Sequence, residues 1–269
     1  MKLTHLSLFS GIGGIDLAAE WAGFKTVGQV EWADFQTKIL EKHWPHVARW
    51  RDINEFTSNE FYKRTGIKKR QLNIISGGFP CQPHSQSGKR LAQNDERDLW
   101  PEMRRVICEI RPKWIVAENV SGLRTSDDGR FFRNVLGDIA TIGYDAIWIT
   151  VRASDFGAIH RRERVFTIAY PNSFGWDCLD KEQKSRPDQF DRKVYADWIA
   201  RQISIRMDYP WVIPDTSCRQ ERNDDGLSEG MDRLKAIGNA VVPQQAYPIF
   251  KAIAEIEHMR VAKFHYQFM

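Results

Sequence analysis

From residue 3 to about residue 170, short apolar runs rich in β-formers alternate with stretches whose apolar residues recur at helical spacing. The runs at 3–8, 26–30, 72–76, 114–118, 146–151 and 165–169 predict strands, and the stretches at 15–22, 35–43, 99–110 and 131–142 predict helices between them. Strands alternating with helices predict an α/β domain built on a Rossmann-like, doubly wound parallel sheet. The alternation stops after Tyr170-Pro171-Asn172, and residues 177–232 become polar, rich in Asp, Arg and Gln, with scattered tryptophans and prolines. Periodicity returns at Leu234, and a helical run follows from Pro243 to about Glu257 with its proline suitably at the start. Three parts are expected: a catalytic and cofactor-binding domain over 1–170, a small and mostly irregular region over 171–233, and a segment over 234–269 that returns to the first domain.

Composition adds limits. At 269 residues, 42% hydrophobic and 28% charged, the chain has material for one α/β core and a small appendage. Its apolar runs stay well short of the ~20 residues that cross a bilayer, so no membrane partner is expected. The first ten residues carry too little apolar length for a secretory leader. Cys81, Cys108, Cys178 and Cys218 are widely spaced with no C-x-x-C pair, which suggests neither a zinc site nor a disulfide framework and fits a reducing cytoplasm. A net charge of +4 is mildly basic and points only generally to nucleic acid. Its distribution says more: Lys89, Arg90 and Arg97 surround one candidate loop, and Arg161, Arg162 and Arg164 precede a strand.

The chemistry concentrates at strand ends, where open α/β sheets place ligands. Phe79-Pro80-Cys81-Gln82 follows an apolar strand and two glycines and leads into a polar, basic loop, so Cys81 is expected to be accessible and near positive charge, the setting of a nucleophilic thiolate. A lone cysteine is more often a small hydrophobe, so its neighbours decide. Phe9-Ser10-Gly11-Ile12-Gly13-Gly14 lies between the first strand and helix, where Rossmann-like folds receive a nucleotide, but it lacks the phosphate-binding glycine register. Glu31 and Trp32 end the second strand; an acid there can hold ribose hydroxyls and an indole can cover an adenine. Asp52 and Ile53 could add an acceptor for the adenine amino group and an apolar wall. Together these favour an adenosine cofactor without phosphates. Glu118 closes the strand after that of Cys81, where the alternative is a simple turn or capping residue; a carboxyl group beside a thiolate can protonate a ring nitrogen and make the ring electrophilic. The guanidiniums of His160-Arg161-Arg162-Glu163-Arg164 can fork onto carbonyl or phosphate oxygens.

In this order, the Phe9–Gly14 turn, Glu31-Trp32, Asp52-Ile53, Gly78-Phe79-Pro80-Cys81-Gln82, Glu118-Asn119-Val120, Arg162-Glu163-Arg164 and Gly238-Asn239-Ala240-Val241 resemble the cytosine-5 DNA methyltransferase family. The resemblance covers residues 3–170 and 234–257, and the compact length is similar to phage or prophage members. It implies that S-adenosylmethionine is held by Phe9, Gly11, Gly13, Glu31, Trp32, Asp52, Ile53, Pro80, Leu99 and Asn239, with no metal. It implies that a cytosine is flipped from duplex DNA, that Cys81 attacks C6, that Glu118 holds N3 and the amino group, and that Arg164 holds O2. Asn119 and Arg162 would support the catalytic loop and pocket, and Phe79, Gln82, Ser85, Lys89 and Arg97 would face the substrate. A monomer is expected, acting in a bacterial or phage-infected cytoplasm, with a restriction endonuclease as a possible companion.

The chain departs from the family pattern at Ser7, where an acid is usual, at His84, where an aromatic is common, and at Ala240, where serine is frequent. Region 171–233 is short and rich in aspartate, so much of the grip on DNA is expected from the catalytic domain. Competing readings are the same chemistry on transfer RNA, an inactive nucleic-acid-binding protein, and a nicotinamide dehydrogenase, the last of which needs the glycine register that is missing.

Overall fold

The computed structural model describes residues 2–80, 98–172 and 240–266. Along the chain run β1 (Leu3–Leu8), α1 (Gly14–Trp21), β2 (Phe24–Val30), α2 (Asp34–His43), β3 (Ala48–Trp50), α3 (Ser58–Thr65), β4 (Ile74–Gly78), α4 (Trp100–Ile110), β5 (Trp114–Val120), α5 (Arg130–Thr141), β6 (Tyr144–Arg152), β7 (Glu163–Pro171) and α6 (Pro243–Tyr266). The seven strands form one sheet in the order β3-β2-β1-β4-β5-β7-β6. The expected 171–233 region lies outside the described residues apart from Pro171 and Asn172.

The central strands are apolar on both faces because both are covered. On one face Leu6, Leu8, Ile75 and Ile115 pack with Phe61 of α3, Met103, Val106 and Ile107 of α4 and Phe132, Val135 and Ile139 of α5. On the other, Leu3, Phe24, Ile74, Val116 and Ile168 pack with Ala18 and Ala19 of α1 and Ile249, Phe250 and Ile253 of α6. Polar side chains inside the sheet are paired, as burial requires. His5 bridges Thr26 Oγ1 at 3.0 Å and Ser76 Oγ at 2.7 Å, and burial pushes its pKa down to about 3, so it is a neutral stitch across β2, β1 and β4.

The sheet is not all parallel. Pairings among β3, β2, β1, β4 and β5 are parallel, but β7 runs antiparallel to both β5 and β6. Residues 153–162, which join β6 to β7, are fewer than the roughly dozen that a parallel crossover needs. The chain therefore turns back as a hairpin. This reversal brings the start of β7 to the carboxyl end of β5, with Val120 paired to Arg164. A parallel β7 would have carried Arg164 to the opposite edge.

α6, which begins at Pro243, packs against α1 and the sheet. Glu257 on α6 is buried and accepts hydrogen bonds from Asn73 Nδ2 at 3.3 Å, Lys113 Nζ at 3.1 Å and Trp114 Nε1 at 3.0 Å. At the other end of α6, a Cβ on Gly14 would lie 2.2 Å from the Val241 carbonyl oxygen. That glycine lets the start of α1 meet the entrance to α6.

Candidate active site

The carboxyl ends of β1, β2, β4 and β5, joined by the reversed start of β7, converge on one edge of the sheet. At β1, Phe9 has φ 53° and Gly11 φ 55°, and a Cβ on Gly11 would meet nothing within 4 Å, so the turn exposes backbone with room above it. Glu31 fixes this turn to β2. Its Oε2 accepts from Gly11 N at 2.7 Å and its Oε1 from Ala33 N at 2.9 Å. Each carboxylate oxygen has a second lone pair, so the group is held in place and can still accept from a ligand's hydroxyls. Trp32 beside it is 78% exposed, an indole face turned to solvent. Arg51 donates to the Trp32 carbonyl and to Asp34, tying β3 to the start of α2. Asp52 Oδ1 accepts from Asn54 N and Nδ2, both at 2.8 Å, and Asp52 lines a pocket of about 390 Å³ with Trp50, Arg51 and Glu55. Ile53 at 4% exposure belongs mainly to the core. These groups fit an adenosine ligand.

Gly13 has φ 87°, and a Cβ there would lie 2.4 Å from the Trp44 ring. A cavity of about 520 Å³ opens beside this turn, lined by Gly13, Trp44, His160, Arg162 and Val241 among others. It links the turn after β1 to the residues that lead into β7. Leu99 caps the start of α4 and is half-buried against the core. Pro80 is exposed at the mouth of β4.

The second half of the site is a buried ion pair. Glu118, 7% exposed, faces Gly78 across the β4–β5 register, and its Oε1 lies 2.9 Å from Arg164 Nε. Burial pushes the Glu118 pKa up to about 7, and Arg164 and then Arg162 pull against that rise. A carboxyl group in this state holds a proton for a substantial fraction of the time near neutrality, which suits a hydrogen-bond donor. Asn119 Nδ2 donates to the Phe79 carbonyl at 2.9 Å, and the buried Phe79 ring packs on Trp100 at 5.2 Å between centroids. The chain therefore leaves β4 in a fixed direction immediately before Cys81.

Gly78 is part of this geometry. A Cβ there would lie 2.8 Å from Glu118 Oε2. We expect Gly78→Ala to push the Glu118 carboxyl group out of its place beside Arg164 and to lower stability by ~1–3 kcal/mol, the usual cost of overpacking a filled site. Urea unfolding of the variant beside the wild-type protein checks it.

Of the sequence candidates, the structure brings together Phe9, Gly11, Gly13, Glu31, Trp32, Asp52, Phe79, Pro80, Glu118, Asn119, Arg162 and Arg164 along this edge. Cys81, Gln82, Ser85, Lys89, Arg97 and Asn239 lie outside the described residues. One group escaped the sequence reading. Asp16 is fully buried beneath the glycine turn, accepting from Ser7 Oγ and Gln29 Nε2, each at 2.9 Å, while Arg49 Nε donates to Gln29 Oε1 at 2.9 Å. The hydroxyl of Ser7, the position where an acid is usual, thus meets a carboxyl group supplied by α1.

Burial pushes the Asp16 pKa up to about 6, against hydrogen bonds from Gln29 and Ser7. A raised carboxyl pKa adds stability that is complete below the unfolded value and is lost as pH rises through the folded one. Asp16→Asn should therefore stabilise the protein by up to about 3 kcal/mol well above pH 6, with the gain fading toward pH 4. Urea unfolding of both proteins at the two ends of that range checks the sign.

Among the described residues, a seven-stranded sheet with one reversed strand, a glycine turn after β1 without the dinucleotide glycine register and an acid following β2 define a Rossmann-like methyltransferase fold. The chain belongs to the C-5 cytosine-specific DNA methylase family, whose profile matches residues 3–210. It is 33% identical over 187 residues to the type II methyltransferase M.NgoMIV of Neisseria gonorrhoeae, covering 68% of this chain and 58% of that protein. It is 32% identical over 179 residues to M.BsuFI of Bacillus subtilis, covering 65% and 41%. The chain spans about half the length of the curated relatives it matches. A prophage-encoded E. coli protein assigned to the DNA modification methyltransferases superposes with a TM-score of 0.54 at 27% identity, covering 63% of this chain and 47% of that one. The Dnmt2 methyltransferase of S. pombe shares the fold with a TM-score of 0.51 at 22% identity, over 69% and 59% of the two chains.

Proposed function

We propose that this chain binds S-adenosylmethionine along the ends of β1, β2 and β3 and transfers its methyl group to C5 of a cytosine flipped out of duplex DNA. The observation that carries this is the buried Glu118–Arg164 pair at the carboxyl edge, set against the Gly78-Phe79-Pro80 exit that leads into Cys81, in a chain of the C-5 cytosine-specific family. Glu31 is preorganised for ribose hydroxyls, Trp32 for an adenine face and Asp52 for the amino group; Phe9, Gly11 and Gly13 give backbone access, and Asn239 and Leu99 complete the cofactor set. When bound, S-adenosylmethionine supplies an electrophilic methyl group.

The chain's own groups then act on the base. The Cys81 thiolate adds to C6 while Glu118 gives its proton to N3, and Arg164 holds the O2 carbonyl. The addition would leave C5 as an enamine carbon able to take the methyl group as the sulfonium S–CH3 bond breaks, with S-adenosylhomocysteine as the other product. Loss of the C5 proton to a base, departure of Cys81 as thiolate and return of the N3 proton to Glu118 would restore the ring. Asn119 keeps Phe79 and the start of the catalytic loop in line, and Gln82, Ser85, Lys89 and Arg97 continue that loop toward the DNA. Residues 171–233 form the target-recognition region in this reading. The type II names of the relatives favour a role in restriction and modification, with a companion endonuclease, in a bacterial cytoplasm.

A methyl-acceptance assay with labelled S-adenosylmethionine tests the reading. Incorporation into duplex DNA is expected; incorporation into transfer RNA alone would redirect the substrate, and retention of NAD in place of S-adenosylmethionine in a binding titration would overturn the cofactor.

A further inference from the structure

Gln245, in the first turn of α6, is fully buried, and its Nε2 donates to two backbone carbonyls: Val151 at 2.8 Å and Arg162 at 2.9 Å. In return the Arg162 guanidinium donates to the carbonyl of Ala240. The two links run in opposite directions between the same segments, the start of β7 and the entrance to α6. One segment continues in two residues to Arg164, the partner of Glu118; the other is preceded by Asn239, assigned to the cofactor. Both groups facing the Gln245 amide are acceptors, so only a donor satisfies them. Its Oε1 is buried and accepts no hydrogen bond from the described residues. The backbone it holds is strained: Arg162 has φ 29°, a left-handed conformation that persists in a non-glycine residue only when its surroundings impose it.

We propose that Gln245 is a positioning residue that clamps the carbonyl of Arg162, sets Arg164 in register against Glu118, and so couples the cofactor-side segment to the base pocket. The inference rests on the proposed role of Glu118. Among the described residues, the charged groups facing Glu118 are Arg164 on β7 and Arg162 immediately before it, while β4 presents Gly78. Loosening the start of β7 withdraws the two cations together, and the proton on Glu118 is then held more tightly.

The test uses Gln245→Met in the full chain, which keeps the length of the side chain and removes both donated bonds. Two quantities are read. One is the titration of the Glu118 carboxyl by difference infrared spectroscopy, identified by its absence in Glu118→Gln; the other is the single-turnover rate of methyl transfer to duplex DNA. The expected result is a wild-type carboxyl titrating near pH 7, an upward shift in Gln245→Met, and a rate lowered ~10-fold or more. Gln245→Asn, which keeps the amide but shortens its reach, should shift both in the same direction and serves if the methionine variant does not fold. A side chain that only packs would leave the titration unmoved. A wild-type carboxyl titrating in the ordinary acidic range overturns the reading of Glu118 and the coupling with it. A wild-type value near 7 that both variants leave in place overturns the coupling alone.

Discussion

Glu118→Gln is expected to slow the single-turnover rate of methyl transfer by ~10²–10⁴, the usual worth of a positioned general acid. The amide keeps the shape of the carboxyl group and can still hydrogen-bond the ring, so the loss measures the proton delivered to N3. The sign of the pH dependence follows from the same residue. Burial raises the Glu118 pKa to about 7, so the donor form dominates below that value and is lost above it. The rate should carry a descending alkaline limb in the wild-type protein, and that limb should vanish in Glu118→Gln. Rapid-quench kinetics across the neutral and alkaline range check both statements, and a near-normal rate in the variant would remove Glu118 from this role.

Cys81→Ala is expected to abolish methyl transfer while leaving cofactor binding intact. The two halves of the site are built on different strands. The proposed cofactor contacts come mainly from the glycine turn after β1, from Glu31 and Trp32 after β2, and from Asp52 after β3, whereas Cys81 follows β4 in the chain after Phe79 and Pro80. Alanine removes the sulfur proposed to add to C6. Without that addition C5 gains no nucleophilic character, and the remaining hydrogen bonds only hold the base. Equilibrium titration with S-adenosylmethionine, run beside the transfer assay, separates the two effects. Substantial residual turnover would contradict covalent catalysis.

Much of the sheet was legible because buried parallel strands carry continuous apolar runs, as Trp114–Ala117 does in β5, although β1 sets Thr4, His5 and Ser7 between its leucines. The end of β4 was less so. Gly77 and Gly78 carry little strand signal, yet they pair with Ala117 and Glu118, and a side chain at Gly78 would collide with the Glu118 carboxyl group. β3 has three residues, too few for a period to show. The direction of β7 is absent from the hydrophobic pattern, since alternation reads the same in either sense; the short link through residues 153–162 decides it. Glu31, Trp32 and Glu118 could be singled out as candidates because they stand at strand ends in the order of the family motifs, while on residue type alone a turn or capping role stayed open. Asp16 and Gln245 could not, because each sits in the first turn of a helix where polar residues are commonplace, and only tertiary packing buries them.

The central claim, methylation of cytosine C5 in DNA through Cys81, is tested most directly by bisulfite sequencing of DNA from cells producing either the wild-type chain or Cys81→Ala. The account predicts conversion-resistant cytosines recurring in one sequence context with the wild-type protein and none with the variant. Complete conversion in both, or the same protected cytosines in both, would contradict it.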